Sequence, residues 1–308
     1  PELTYQELMR YKNAGGVTLV DQTNGGLRGT KEIRTDNISS EYLVHADSLT
    51  RSYDEPWNVY HNKALIAPDF LPVKHPIAVR EIAKRTGLNI ILGSGWYRET
   101  YYWPYVHQTP TDQIAEDIER ELTEGIDGTD VRAGIIGEIG CRRPWISAAE
   151  ERMLRAAARA HKKTGATIAT SSLRGPTGRD QLDILEEEGV DPGRVIIGYA
   201  HMYPNADYHE ELARRGAFIS FEHQGSKKEY QQRKEIGLIR ELVEKDLTGN
   251  LLFSHDVCQR AMYASYGGAG YDYISNNLLD SLEETGLTDE HFQKIMVDNP
   301  RRALTGEN

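Results

Sequence analysis

Residues 131–140 read VRAGIIGEIG, a short apolar run in which a single carboxylate, Glu138, is enclosed by isoleucine and glycine. Apolar residues at nearly every position are typical of a strand that is buried on both faces, as in a parallel sheet. Seven further runs share this pattern. The eight predicted strands are Val17–Gln22, Glu41–Asp47, Leu88–Gly95, Arg132–Cys141, Ala166–Ser172, Val195–His201, Ala217–His223 and Leu251–Val257.

Amphipathic helical patterns lie between most of these strands. The pattern at Ser147–Thr164 begins with a capping box and ends at a glycine, and Thr4–Ala14 is predicted to begin with a capping box of Thr4 and Glu7. Patterns at Tyr271–Thr285 and Asp289–Asn299 follow the last strand. Strand and helix alternate about eight times, which favours a closed barrel over a doubly wound sheet in a chain of this length. The sequence therefore predicts an α/β fold, one (β/α)8 TIM barrel domain over residues 1–308.

Composition excludes several classes of protein. The 308 residues carry a net charge of −11, and an acidic surface argues against nucleic acid or an anionic membrane as the main partner. No apolar run approaches the roughly 20 residues that span a bilayer, and no signal peptide opens the chain. Two cysteines are too few for a disulfide framework. We expect a soluble cytoplasmic protein that acts on a small molecule.

Polar residues at the C-terminal ends of the strands are the candidates for function, because a barrel carries its active site at that face. These candidates are His45, Asp47, Glu138, Ser171, Ser172, Tyr199, His201, His223, His255 and Asp256. Side chains alternate along a strand, so His45 and Asp47 lie on the same side. With Glu138 and Asp256 from other strands, they could form a nitrogen and oxygen site for Zn²⁺ or a similar ion.

Glu138 and Asp256 are the most informative of these residues. A buried carboxylate requires a cation or hydrogen-bond donors, and the alternative to a metal at Glu138 is an ion pair with Arg98 or Arg174. Asp256 is predicted both to bind the metal and to accept a proton from its water, which makes it the catalytic residue. His255 is expected to point into the helix layer, where its role would be structural.

An aromatic segment follows the predicted strand Leu88–Gly95. Trp96, Tyr97 and Arg98 are predicted to line the substrate pocket. The alternative for the adjoining residues 101–103 is that they pack against a neighbouring subunit, which would make the protein a homodimer.

Several stretches together resemble the phosphotriesterase-related family of the amidohydrolase superfamily, which includes the phosphotriesterase-like lactonases. They are AGGVTLVDQTNGGLRG (14–29), GLNIILGSGWYRE (87–99), VRAGIIGEIG (131–140), EEEGVDPGRVIIGYAH (186–201), LLFSHDVCQRAMYASYGGAGYDYI (251–274) and VDNPRRAL (297–304). The resemblance covers almost the whole chain. It implies a (β/α)8 barrel with a divalent metal centre, often of two Zn²⁺ ions. It also implies hydrolysis of a lactone, ester or phosphoester by a metal-activated water.

The resemblance assigns the family's ligands to particular residues. The H-x-H of the first strand falls on His45 and Asp47, so the second histidine is an aspartate in this chain. The bridging lysine or glutamate falls on Glu138, and the aspartate of the last strand falls on Asp256.

Two of the family's ligand positions are changed. The histidines of the fifth and sixth strands fall on Ser171 and Tyr199, and His201 is the residue that could replace one of them. We therefore expect one tightly held ion, most simply Zn²⁺, rather than two. The alternative function is a barrel that has lost the binuclear centre and acts as a binding protein or catalyses a different reaction.

The order of the first segments departs from both the fold and the family. Residues 23–40 and 48–75 contain no helical pattern, although parallel neighbours are normally joined by a helical crossover. If 30–72 preceded 1–29, strand and helix would alternate without interruption, and the match to the family would be continuous. Segments 1–29 and 30–72 are therefore predicted to be out of order.

We expect the polypeptide itself to join Pro72 to Pro1, with a carbon–nitrogen distance of about 1.3 Å, and Gly29 to Val73. Peptide sequencing by mass spectrometry should then find FLPPELTY and LRGVKH across the two junctions. Peptides that read LRGTKE and FLPVKH would show instead that the printed order is the true one.

Overall fold

A computed structural model describes residues 2–22 and 75–307, apart from 103, 142, 174, 226–228, 259 and 283–284. The predicted strand Glu41–Asp47 lies outside the described residues, and with it His45 and Asp47. The two predicted junctions of the reordered segments also lie outside them, so the order of the segments stays a prediction.

The seven predicted strands that fall within the described residues are confirmed, although most are shorter than the apolar runs. Their bounds are β1 Thr18–Asp21, β2 Asn89–Ser94, β3 Ile135–Gly140, β4 Ile168–Ser171, β5 Val195–Gly198, β6 Phe218–Phe221 and β7 Leu251–Phe253. Each pairs in parallel with the next, so the sheet follows the order of the sequence. This is the strand arrangement of a (β/α)8 barrel.

Helices alternate with the strands, as the sequence predicted. The α-helices are Glu2–Asn13, Pro76–Thr86, Pro104–Gln108, Thr111–Thr123, Ala148–Thr164, Thr177–Glu187, Ala206–Arg214, Glu229–Glu244, Leu279–Ser281, Asp289–Gln293 and Asn299–Thr305. The predicted helices Tyr271–Thr285 and Asp289–Asn299 are interrupted by π-helical turns at Ile274–Leu278 and Lys294–Asp298. A π turn takes one extra residue, and the apolar pattern does not reveal where that residue enters.

Two apolar layers hold the sheet. Alternate residues of a strand face opposite sides, so Ile197 joins the large core between strands and helices while Ile196 faces a smaller interior cluster. The C-terminal helix Asn299–Thr305 contributes Ala303 to that interior cluster. The carbonyl of Ala303 also accepts a hydrogen bond from the hydroxyl of Thr167, which directly precedes β4.

One predicted helix start is as expected and one is wrong. Ser147 caps the helix Ala148–Thr164 in a complete capping box with Glu150. Thr4 instead lies inside the helix Glu2–Asn13 and does not cap it. Glu7, its predicted partner, is buried at 1% exposure and accepts hydrogen bonds from two backbone N–H groups of a distant loop. The Glu7 carboxylate binds the distant loop and therefore does not form a capping box with Thr4.

Glu7 ties the helix Glu2–Asn13 to the loop that follows β7. Its carboxylate accepts from the N–H of Ala264 at 3.0 Å and of Ser265 at 2.9 Å, and Arg10 pairs with Asp272 at 2.9 Å. Burial raises the pKa of Glu7, but the donors of Ser265 and Ala264 and the charge of Arg10 outweigh it, so the pKa is lowered. The buried carboxylate is therefore ionised and stabilises the loop.

Replacing Glu7 by Gln should lower the free energy of unfolding by about 1–3 kcal/mol, because one of the two backbone donors loses its acceptor. Urea unfolding at neutral pH measures the change. Glu2→Gln is the matched control: Glu2 lies on the same helix in an exposed ion pair with Arg85, and its loss should cost about 0–1 kcal/mol. Equal costs for the two variants would contradict the structural role of Glu7.

Candidate active site

The C-terminal ends of the parallel strands bring a set of polar side chains to one mouth of the sheet. Ser171 is the last residue of β4, and Tyr199 directly follows β5. Glu222 and His223 directly follow β6, and Asp256 lies three residues beyond β7. The parallel direction of the strands, rather than closeness in sequence, assembles this group.

Glu138 lies within β3, where the pairing with β4 shifts register between Ile136 and Ile139. The pKa of Glu138 is raised to about 8, mainly by burial and in addition by the nearby charges of Asp256 and Glu222. The Ser171 hydroxyl and the Arg98 guanidinium lower the pKa by less than these effects raise it. The carboxyl group is thus held among other acids in a dry environment.

The ion pair considered for Glu138 is not the main contact of Arg98. The Arg98 guanidinium lies over the Tyr97 ring at 4.6 Å and the Tyr101 ring at 5.2 Å from the ring centroids. Its charge is the smallest of the five influences on the pKa of Glu138. Arg174, the other candidate partner, lies outside the described residues.

Asp256 is bracketed by two side chains. Its Oδ2 accepts a hydrogen bond from the Tyr199 hydroxyl at 2.5 Å and lies 3.4 Å from Nδ1 of His223. The side chains of His223 and Asp256 are 30% and 22% exposed, so this pair connects the buried acids to solvent.

The backbone is unusual at all three residues of that contact. Tyr199, His223 and Asp256 have φ values of 57°, 61° and 50°, in the left-handed region that residues other than glycine rarely adopt. Strained backbone of this kind concentrates at functional sites, where the surrounding structure holds it in place. Three such residues at the ends of neighbouring strands support assigning the site to this mouth.

His201 is arranged as a hydrogen-bonding residue rather than as a metal ligand. The backbone N–H of Glu222 donates to its Nδ1 at 3.2 Å. A neutral ring that accepts at Nδ1 carries its hydrogen on Nε2, which leaves neither nitrogen with a free lone pair for a cation. The structure thus places His201 beside the site in an orientation that does not suit the ligand role expected from sequence.

Tyr97 and Trp96, two of the three residues predicted to line the pocket, lie in different places. Tyr97 is buried against Gly140, where an added Cβ would come within 2.8 Å of the ring, and burial and the charge of Glu138 raise its pKa. Trp96 packs instead against the large core. Tyr102, expected in one alternative to pack against a second subunit, is only 4% exposed and belongs to the core of its own chain.

His255 has the structural role that the sequence predicted. Its Nε2 accepts a hydrogen bond from the N–H of Ile274 at 3.1 Å, and burial lowers its pKa to about 4. The residue therefore stays neutral and anchors the π-helical turn that follows the glycine-rich loop.

A cleft of about 240 Å³ lies among residues that are close in sequence to His223 and Asp256. Its walls include Gln224 and Val257, the residues that follow His223 and Asp256, and the glycine-rich loop 267–270 forms another side. The glycines allow the loop to approach closely, as at Gly268, where a Cβ would lie 2.3 Å from the backbone of Met262. The loop therefore forms one wall of the cleft, and His255 is another of its lining residues.

Glu222 is the residue that sequence reasoning missed. It directly precedes His223 in FISFEH, and the rule of strand ends would have found it had the strand been ended at Phe221. Its charge acts on both Glu138 and Tyr199. His223 was recognised as a strand-end residue but received no role.

Oxygen donors that could bind a metal ion are present at the mouth, but the described residues do not form a complete ligand set. Among residues 2–22 and 75–307, with the gaps given above, no three His, Cys, Asp or Glu residues are placed to hold an ion by themselves. Glu138, Glu222 and Asp256 nevertheless crowd their negative charges together, which is the kind of repulsion that a bound cation relieves. Carboxylate oxygens are donors that suit a divalent ion, and a complete site would need further ligands besides these three residues.

Comparison with known proteins identifies the family. The sequence profile described as "Phosphotriesterase family" matches residues 74–304. The chain belongs to the phosphotriesterase family. Phosphotriesterase homology protein of Escherichia coli (strain K12) is 30% identical over 220 residues, which cover 71% of this chain and 75% of that protein.

Two further similar proteins have names that refer to different functions. N-acetyltaurine hydrolase of Dictyostelium discoideum is 29% identical over 244 residues, which cover 75% of this chain and 66% of that protein. The crystal structure of a resiniferatoxin-binding protein from Rhodobacter sphaeroides is similar with a TM-score of 0.77 and 28% identity, over 98% of this chain and 75% of that one. The TIM-barrel-like fold of the family is thus confirmed for this chain.

A search of the described residues finds no helix with the length and apolar character needed to cross a membrane.

The raised pKa of Glu138 predicts a pH-dependent stability for the protein freed of metal by chelation. Ionisation costs more in the folded than in the unfolded state, so the penalty is absent below about pH 4.5, grows as the pH rises, and is complete above about 8. Glu138→Gln should remove it and stabilise the protein at pH 8 by on the order of 2 kcal/mol.

Urea midpoints of both proteins between pH 5 and 8.5 test this expectation, with the exposed Glu116→Gln as the control. Parallel curves for the wild type and Glu138→Gln would show that Glu138 does not titrate in this range.

Proposed function

We propose that the protein is a metal-dependent hydrolase of a lactone, ester or phosphoester. The observation that carries this proposal is the buried Glu138 at the C-terminal mouth of a phosphotriesterase-family barrel, crowded by Asp256 and Glu222. Ionising a buried carboxyl group close to two other carboxylates is costly, because burial and charge repulsion both disfavour the negative charge. A cation at this position would offset that cost.

We propose His45, Asp47, Glu138 and Asp256 as the ligands, with Zn²⁺ as the ion. One ion rather than two is expected, because a serine hydroxyl and a phenol stand at 171 and 199, where the family resemblance places imidazoles. We leave His201 out of this set because its Nδ1 already accepts the N–H of Glu222.

A bound ion would supply Lewis-acid chemistry by polarising the carbonyl or phosphoryl oxygen of the substrate. Asp256 is the proposed general base, which takes a proton from the attacking water. His223, 3.4 Å from Asp256 and partly exposed, is placed to pass that proton to solvent. Tyr97 and Arg98 would form the wall on the β2 side.

The substrate is proposed to be a small molecule. The cleft of about 240 Å³ lined by Gln224, Val257 and the loop 267–270 would accommodate a small group attached to the scissile bond. The similarity to N-acetyltaurine hydrolase makes an amide such as N-acetyltaurine a second candidate substrate. Lactones, esters and amides react through attack of water on a polarised carbonyl, and phosphoesters through attack on phosphorus beside a polarised phosphoryl oxygen, so the residue roles would be the same.

The alternative is a barrel without hydrolase activity that binds its ligand unchanged. The loss of two imidazoles at positions 171 and 199 favours it, as does the similarity to a protein named for binding resiniferatoxin. Metal content and turnover separate the two functions.

Protein purified without chelator should contain about one equivalent of Zn, Mn or Fe by elemental analysis. It should hydrolyse at least one of γ-butyrolactone, 4-nitrophenyl acetate, a dialkyl aryl phosphate and N-acetyltaurine. Glu138→Gln should lose metal and activity together, by about tenfold or more in affinity, whereas the exposed Glu116→Gln should lose neither.

Several outcomes would decide against the proposal. Absence of metal with no turnover of the four compounds would favour the binding protein. Two full equivalents would contradict the single ion, and unchanged metal content in Glu138→Gln would remove that residue from the ligand set.

A further inference from the structure

Tyr199 crosses the mouth of the barrel to reach Asp256. β5 ends at Gly198, and Tyr199 then adopts φ 57° and ψ 23°. Gly198 has no room for a side chain, since a Cβ there would lie 2.5 Å from the carbonyl oxygen of Thr170. The tight, left-handed turn directs the phenol past β6 to a residue 57 positions later in sequence.

The ring of Tyr199 is held on two sides. The His201 ring stacks on it with centroids 6.2 Å apart and 26° between the planes. The His223 ring meets it edge-on at 5.4 Å and 66°. With 7% of its surface exposed, the tyrosine has little freedom to leave this position.

The hydroxyl acts as a donor. Burial and the charges of Glu138, Asp256 and Glu222 raise the pKa of Tyr199 above its ordinary value, so the phenol keeps its proton. It donates a hydrogen bond to Asp256 Oδ2 at 2.5 Å. One oxygen of the carboxylate is therefore held by the protein itself.

We propose that Tyr199 is a positioning residue that fixes the carboxylate of Asp256 through this hydrogen bond. The family resemblance assigns position 199 to a metal ligand. In this chain the Tyr199 hydroxyl orients the Asp256 carboxylate by a hydrogen bond, without a second ion. The role in catalysis rests on the proposed hydrolase function, whereas the structural role does not.

The experiment is a double-mutant cycle on thermal stability, made on full-length protein treated with chelator. Tyr199→Phe should lower the melting temperature of the wild type by about 2 °C or more. In the Asp256→Asn background, where the carboxylate is absent, the same change should have less than half that effect. An equal drop in both backgrounds would overturn the proposal.

A kinetic arm uses the best compound among the four probes above. Tyr199→Phe should reduce kcat about tenfold with less than a twofold change in KM, because the substrate does not contact the lost hydroxyl. Tyr203→Phe, an exposed tyrosine on the same loop, should leave both constants and the melting temperature unchanged.

The double-mutant cycle and the kinetic measurement can fail independently of each other. If no probe is hydrolysed but the cycle shows coupling, the proposed function fails and the positioning of Asp256 stands. If hydrolysis occurs and Tyr199→Phe keeps full kcat and shows no coupling, the proposed function stands and the role of Tyr199 is wrong.

Discussion

Parallel strand direction is the constraint on which the rest of this molecule depends. Because every strand from β1 to β7 runs the same way, all their carboxyl ends meet at one mouth, and polar residues far apart in sequence become neighbours. The apolar layers on both sides of the sheet exclude water from the region just below that mouth. Acidic groups placed at this boundary are only partly hydrated, and their properties depend on one another.

Glu138 shows the consequence of that dry environment. In water its carboxyl group would be ionised at neutral pH, but burial and two acidic neighbours hold its pKa at about 8. The surface ion pairs differ from Glu138, because each charge has an oppositely charged partner and access to solvent. The pairs of Arg155 with Glu187 and Glu188 are examples. The contrast is between ion-paired charges at the surface and a buried acid whose neighbours include other acids.

The site also shows how a barrel can exchange one means of holding a carboxylate for another. A cation and a phenol can both orient the carboxylate of Asp256, but they supply different chemistry to the site. A second cation would add Lewis acidity, whereas the Tyr199 hydroxyl adds only a fixed donor. If Tyr199 has the proposed positioning role, the site would hold Asp256 with fewer ions and more protein-supplied contacts than the family resemblance implies.

Much of the fold was predictable because its signals are local. Apolar runs predict buried strands, and Ser147 with Glu150 predicts a helix start, since each depends on neighbours within a few residues. Thr4 and Glu7 show the limit of such signals. The same local motif was present, but two backbone donors more than 250 residues away took the carboxylate.

The features of the candidate site can also be divided into those predicted from the sequence and those seen only in the structure. The sequence by itself determined that Glu138 is a buried acid and that Asp256 closes a strand, because both follow from apolar runs and their ends. Only the tertiary structure decided that Tyr199 contacts Asp256, that Glu222 belongs to the acidic group, and that the Nδ1 of His201 is already used. These relations depend on the backbone turn after each strand and on the rotation of each ring. Neither is encoded in the spacing of residues, because a left-handed turn at one position redirects a side chain by several ångströms without changing the pattern around it.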